Sequence, residues 1–231
     1  MTPEALMIFA AGLGTRMRPL TDDRPKPLIE VGGQTLLDRA LAMGQAAGAR
    51  RIVVNTHYKA KMIADNLAGS DVAISHEPGP VLETGGGLRA ALPLLGSGPV
   101  MTLNPDGIWT GPNPLSALRE AWDGERMDAL MMLVPLDRAL ARLGGGDFAI
   151  NGAGRISRGG DLVYAGAHVL NPARLDAVKD QVFSLNVVWD RIIAEGRAFG
   201  IVHPGRWCDV GRPETIAVAE AMLTEDAQAD G

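Results

Sequence analysis

Cysteine is almost missing: Cys208 stands alone in 231 residues, which excludes an internal disulfide and any Cys-x-x-Cys metal site and fits a reducing compartment. Aromatic residues amount to 4%, so a core has to be built from Ala, Leu, Val and Ile with 10 methionines as filler. No apolar run approaches the roughly 20 residues that span a bilayer, and the basic start and long apolar stretch of a secretory signal are lacking. Basic residues do not predominate either. The net charge of -5 argues against a broad phosphate-backbone-binding surface while leaving room for a local basic pocket. The expectation is a soluble, cytoplasmic protein with no nucleic-acid or membrane partner. Repeats and low-complexity tracts are absent, and the oligomeric state is not legible.

Short apolar runs of strand length recur at Ala5 to Ala10, Arg51 to Asn55, Val72 to Ser75, Pro99 to Asn104, Ala129 to Val134 and Leu162 to Leu170. Between them, apolar spacing of three and four residues predicts helices over Gln34 to Ala47, Lys59 to Leu67, Gly86 to Leu95 and Pro114 to Trp122. Alternation of this kind predicts crossover units and an α/β fold with a parallel sheet. After Val134 the rhythm breaks into Gly144-Gly145-Gly146-Asp147, Asn151-Gly152 and Gly159-Gly160-Asp161, turn-rich signals that suit small antiparallel strands. Helical spacing returns at Val187 to Glu195 and Pro213 to Leu223, ahead of a polar tail over 225–231 expected to fray.

The first apolar run leads into Ala10-Ala11-Gly12-Leu13-Gly14-Thr15-Arg16-Met17-Arg18. Small residues after a first strand let backbone N–H groups approach an anion. The P-loop pattern is missing, and the dinucleotide pattern fails where its third glycine is Met17 and the second strand ends in Asn55 rather than an acid. What remains is a glycine loop beside Arg16, Arg18 and Lys26 around a triphosphate, with a plain turn carrying solvated arginines as the alternative.

From Ala10 to Leu28 the sequence AAGLGTRMRPLTDDRPKPL resembles the GxGTRxxPLTxxxPKPL signature of sugar-nucleotide pyrophosphorylases, and Leu82-Glu83-Thr84-Gly85-Gly86-Gly87 resembles the version found among uridylyltransferases acting on N-acetylmuramate 1-phosphate and nearby heptose or mannose enzymes. The resemblance covers nearly the whole chain. It implies a single three-layer Rossmann-like (GT-A-like) domain over 1–224, with a mostly parallel sheet and a small antiparallel sugar-binding flap. Residues 1–134 would mainly serve the nucleotide and 135–224 mainly the sugar.

The resemblance also implies that a nucleoside triphosphate, UTP in the favoured pair, meets a sugar 1-phosphate whose oxygen attacks the α-phosphorus while pyrophosphate leaves. Arg16 and Lys26 take the catalytic roles, and Ala11, Gly12, Gly14, Thr15, Arg16, Lys26, Glu83 and Gly85 surround the nucleotide. Mg²⁺ falls to Asp106 and Asp209, the latter in Trp207-Cys208-Asp209-Val210-Gly211. The first metal position departs from the family's Gly-Asp pair: Asn104-Pro105-Asp106-Gly107 has proline before the acid and one extra residue. Turn roles remain the alternatives for both acids.

The three glycines of Leu82-Glu83-Thr84-Gly85-Gly86-Gly87 precede a helix-like run and offer backbone donors or a flat surface for a base. Sugar contacts are expected from Asn104, Asp147, Gly166 and Asn186, with a structural role as the alternative for Asp147 and Asn186. A Glu-Lys-Pro motif found in many relatives is missing. His57, His76, His168 and His203 show no metal spacing and are read as structural, His57 being the exception nearest the expected site. Two other readings stay open: the same fold using GTP or CTP with a heptose or mannose 1-phosphate, and a noncatalytic nucleotide-sugar-binding subunit.

Overall fold

The computed structural model describes residues 1–229. β1 (Ala5–Phe9) is followed by the short helix α1 (Leu20–Asp23) and a hairpin of β2 (Glu30–Val31) and β3 (Gln34–Thr35). Next come α2 (Leu36–Ala46), β4 (Arg51–Thr56), α3 (Ala60–Asn66), β5 (Ala73–His76), α4 (Glu83–Leu95) and β6 (Val100–Leu103). Local signals set these bounds. Thr35 caps α2 by accepting from the N–H of Asp38 at 3.0 Å, an ordinary use of a short hydroxyl at a helix start.

The second half runs through β7 (Gly107–Trp109), α5 (Pro114–Ala121), β8 (Ala129–Pro135), β9 (Ala139–Leu140), β10 (Phe148–Ile150), β11 (Ile156–Arg158) and β12 (Leu162–Leu170). It ends with α6 (Leu185–Ala194), β13 (Ala198–Val202), β14 (Trp207–Asp209) and α7 (Glu214–Ala229). Asn113 caps α5 just ahead of Pro114, and Ser184 caps α6. The tail expected from residue 225 is helical through Ala229, and residues 230 and 231 lie outside the described residues.

A nine-stranded mixed sheet carries the order β11-β10-β12-β6-β1-β4-β5, with β8 paired to β12 and β13. β1 runs parallel to β4 and β6, β4 to β5, and β13 to β8. β12 lies antiparallel between β6 and β8, so β1, β4, β5, β6, β8 and β13 share one direction and β12 opposes them.

The period-two pattern of β1 explains the three layers. Ala5 and Met7 face a cluster with Leu88 and Leu95 of α4 and Val188 and Ile192 of α6, while Leu6 and Ile8 face Leu37 of α2 and Leu118 of α5. Met131 and Met132 split between these layers in the same way and, like Met127, are buried. No described helix is long and apolar enough to cross a membrane.

A second, three-stranded sheet, β7-β14-β9, packs with α7 around Ile108, Cys208, Ala219 and Met222. Cys208 is fully enclosed, and burial, followed by the charge of Asp209, pushes its thiol up to about 11. It is an inert core residue.

Candidate active site

The loop after β1 sits at the carboxyl edge of the parallel strands, where open α/β sheets place ligands. Asn55, at the end of β4, anchors it: its Oδ1 accepts from the N–H of Ala10 at 2.7 Å. Asn55 Nδ2 donates in turn to Glu77 Oε1 at 2.7 Å, and Glu77 Oε2 accepts from the N–H of Leu82 at 3.0 Å. A buried carboxylate thus ties the loop to the start of α4. His57 joins the same network, its Nδ1 2.9 Å from the Glu77 carbonyl oxygen.

Gly14 is required by its backbone. Its φ of 64° lies in the left-handed region, and a Cβ there would fall 2.9 Å from Thr21 Cγ2 and 3.1 Å from Lys26 Cβ. A Cβ on Gly12 would meet nothing within 4 Å, so this part of the loop faces open space. That space is a cavity of about 380 Å³ lined by Gly12, Gly14, Thr15, Arg16, Lys26 and Asp106, among others. Ala11 is buried beneath the loop and lines neither this cavity nor the next.

A second cavity of about 300 Å³ shares Arg16, Asn104 and Asp106 with the first and extends over Asp147, Gly166, Asn186 and Asp209. The two aspartates, distant in sequence, meet because β7 and β14 are antiparallel neighbours in which Asp209 stands opposite Gly107. Pro105 is buried and leaves the acid in place: Asp106 Oδ2 is 2.5 Å from Lys26 Nζ, and its carbonyl accepts from the N–H of Val210 at 2.9 Å.

Burial and then the charge of Asp106 hold Asp209 above the usual carboxylate range, while Lys26, Arg16 and Arg142 pull it back. Among the described residues no three His, Cys, Asp or Glu side chains form a metal-binding group. Two carboxylates lining one cavity suit a hard divalent cation that completes its shell with water and ligand oxygens.

At the second cavity, β12 bulges against β8 between Tyr164 and His168, with Gly166 at φ 85°. Bulges of this kind re-aim side chains next to active sites. Here the bulge brings the Gly166 carbonyl to the N–H of Asn104 at 2.8 Å, and a Cβ on Gly166 would sit 2.9 Å from Asn104 Cβ. Asp147 is already engaged, accepting from Arg142 Nη2 at 2.6 Å and from the N–H of Tyr164 at 2.9 Å. Asn186 Oδ1 accepts from Arg158 Nη2 at 2.8 Å.

Arg18, Glu83 and Gly85, like Ala11, line neither cavity. Arg18 pairs with Asp22 at 3.5 Å along an exposed helical edge and lines neither cavity. Glu83 is exposed, and α4 begins at this residue rather than at Gly86. Glu83 and Gly85 line neither cavity. The N–H groups of Gly85 and Gly86 both donate to the Phe183 carbonyl, at 2.9 and 3.1 Å. A Cβ on Gly85 would land 2.3 Å from the Phe183 ring, so close packing of the 181–183 segment accounts for glycine there.

Asn55, Glu77, Arg142 and Arg158 are not marked as site residues by the sequence. The one available signal was a polar residue ending the second strand, read only as a missing acid.

Behind Tyr164, whose hydroxyl is pushed upward by burial, lies the fully buried His168. Its Nδ1 is 2.6 Å from Thr102 Oγ1 and 2.7 Å from the Tyr164 hydroxyl, and burial lowers its pKa to about 3. The native imidazole therefore stays neutral while an unfolded one protonates near pH 6.5. Below that pH the unfolded state binds more protons, and stability falls with falling pH until about pH 3. The stability advantage of the wild type over His168→Asn should shrink by about 2 kcal/mol between pH 7.5 and 5, measured by urea unfolding. A pH-independent difference would place the proton on the native ring.

A family model described as the MobA-like NTP transferase domain matches residues 6–140. The chain is 41% identical over 237 residues to the N-acetylmuramate alpha-1-phosphate uridylyltransferase of Caulobacter vibrioides, covering 96% of this chain and 98% of that protein. It is 34% identical to the protein of the same name from Neisseria meningitidis serogroup B, covering 94% and 96%. The crystal structure of a UDP-glucose pyrophosphorylase complexed with UDP-glucose superposes with a TM-score of 0.80, covering 96% of this chain and 99% of that one at 14% identity. At that identity the likeness is one of fold.

Proposed function

This chain belongs to the MobA-like NTP transferase family, and from that premise we propose that it transfers a uridylyl group from UTP to N-acetylmuramate 1-phosphate, releasing pyrophosphate. The carrying observation is the meeting of two cavities at Arg16, Asn104 and Asp106, with Asp209 beside them. One cavity lies under the glycine loop and takes the triphosphate. The other, walled by the bulged β12 and α6, takes the sugar, so residues 1–134 mainly hold the nucleotide and 135–224 mainly the sugar.

In this reading Arg16 and the loop N–H groups hold the triphosphate, and Lys26 keeps a positive charge beside the α-phosphorus. Asn104 stands at the junction where the attacking sugar-phosphate oxygen must arrive in line. Asp147 and Asn186 act by fixing the two arginines of the sugar cavity. The work is mainly positioning and neutralisation of charge in a partly enclosed site. Mg²⁺, held by Asp106 and Asp209, supplies Lewis-acid charge stabilisation when bound. The need for a supply of nucleoside triphosphate supports a cytoplasmic location in this reading.

The convergence of both acids with Arg16 and Lys26 speaks against a noncatalytic subunit. Incubation with each nucleoside triphosphate and a panel of sugar 1-phosphates, followed by product mass, tests the assignment. UDP-N-acetylmuramate is the expected product. A GDP- or CDP-sugar would shift the base assignment, and no pyrophosphate from any pair would overturn the enzyme reading.

A further inference from the structure

The sugar-side cavity is lined by three arginines, Arg16, Arg142 and Arg158, and they are placed differently. Arg16 belongs to the triphosphate loop. Arg142 is close enough to Asp209 for its charge to act there, and its Nη2 is 2.6 Å from Asp147. Arg158 stands at the α6 wall: Nε is 2.8 Å from Asp190 Oδ1, and Nη2 donates to Asn186 Oδ1 at 2.8 Å. Its guanidinium carbon lies 4.8 Å from the Phe148 ring centroid and 6.0 Å from that of Trp189. Nη1 has no partner among the described residues.

A guanidinium braced on two nitrogens and stacked on aromatic rings loses little freedom when it gains a further partner, and its planar fork matches a carboxylate. A neutral hexose derivative presents hydroxyl and amide groups, for which such a fixed cation is not required. The 1-phosphate has its own cations to meet, at Arg16 and Lys26. An anionic substituent elsewhere on the sugar therefore finds its complement at Arg158.

We propose that Arg158 is a specificity-determining residue that receives a carboxylate carried by the sugar, and so sets the preference for a carboxylated sugar 1-phosphate over its neutral counterpart. This rests on the uridylyltransferase reading, since N-acetylmuramate differs from N-acetylglucosamine by a lactyl ether bearing one carboxylate.

The test compares kcat/KM with UTP for N-acetylmuramate 1-phosphate and for the same compound with its lactyl carboxylate converted to an amide, in the wild type, Arg158→Gln and Arg158→Lys. Charge-assisted hydrogen bonds of this kind correspond to a preference of roughly 10- to 100-fold for the acid in the wild type. It should be carried mainly by KM, collapse toward one in Arg158→Gln and return in part in Arg158→Lys.

A wild type indifferent to the amide overturns the proposal without any variant. An undiminished preference in Arg158→Gln, or an equal loss on both substrates, also overturns it, the latter marking Arg158 as a brace for α6. If the wild type transfers no uridylyl group to any N-acetylhexosamine 1-phosphate, the uridylyltransferase reading falls as well. An active enzyme with an unchanged ratio removes this inference alone.

Discussion

Asp209→Asn is expected to lower kcat by roughly 10³-fold or more, the loss that follows when several kcal/mol of charge stabilisation leaves the reacting centre. Stability should not fall with it. The Asp209 side chain has no hydrogen-bond or salt-bridge partner among the described residues, and its ionised form is disfavoured by burial and by Asp106. A neutral side chain of the same shape removes that penalty at neutral pH while the β7–β14 pairing persists.

Gly211 leaves room for the new amide: a Cβ there would stand 3.2 Å from both Asp209 oxygens. The expected pattern is thus a dead enzyme with an equal or higher melting temperature, read by pyrophosphate release and calorimetry. Asp106→Asn should lose as much activity but melt lower, because it also gives up the ion pair with Lys26. Wild-type turnover in either variant would exclude that aspartate from metal binding.

Lys26→Gln should reduce kcat/KM by roughly 10²- to 10³-fold and, unlike Asp209→Asn, destabilise the fold. Its ammonium is 2.5 Å from Asp106, with side-chain exposures of 15% and 27%. Removing one member of a largely enclosed pair strands the other's charge. Lys26 is also among the groups that pull Asp209 downward, so its loss raises that carboxyl further.

A carboxyl raised above its unfolded value binds protons more readily in the native state, so its unfavourable contribution grows with pH. The destabilisation in Lys26→Gln should therefore grow as pH rises above the ordinary carboxylate range and level off once native Asp209 is ionised, measured by urea unfolding. Loss of stability without loss of rate would show that Lys26 serves only as a counter-ion.

Elements whose signal is local were legible in the chain. β1 could be read from its apolar run, and α2 and α5 from their spacing. Gly14 stood out as part of a glycine loop after the first strand, and its left-handed backbone came from the structure. The segment from Phe148 to Arg158 was legible as short antiparallel strands, because glycine turns interrupt runs too short for helices.

Features set by partners far along the chain were not legible. Arg18 looked identical in kind to Arg16 but turned to Asp22. The glycines at 85 and 86 looked like ligand donors but give their N–H groups to Phe183, almost a hundred residues away. Nothing local to Glu77 marks it as a buried carboxylate bridging Asn55 and the start of α4.

Taken alone, the sequence determined the α/β class, the glycine loop with Arg16 and Lys26 after the first strand, and the pair Asp106 and Asp209 as candidate acids beside strands. Strand periodicity, glycine backbone requirements and charge spacing are properties of neighbouring residues, so they survive without coordinates. The tertiary structure decided how the two acids meet, through the β7–β14 register, and it alone brought Arg142 and Arg158 into the second cavity from separate loops and strands. Those placements depend on chain segments brought together only when the sheet closes over its two cores, and no local pattern encodes the pairing.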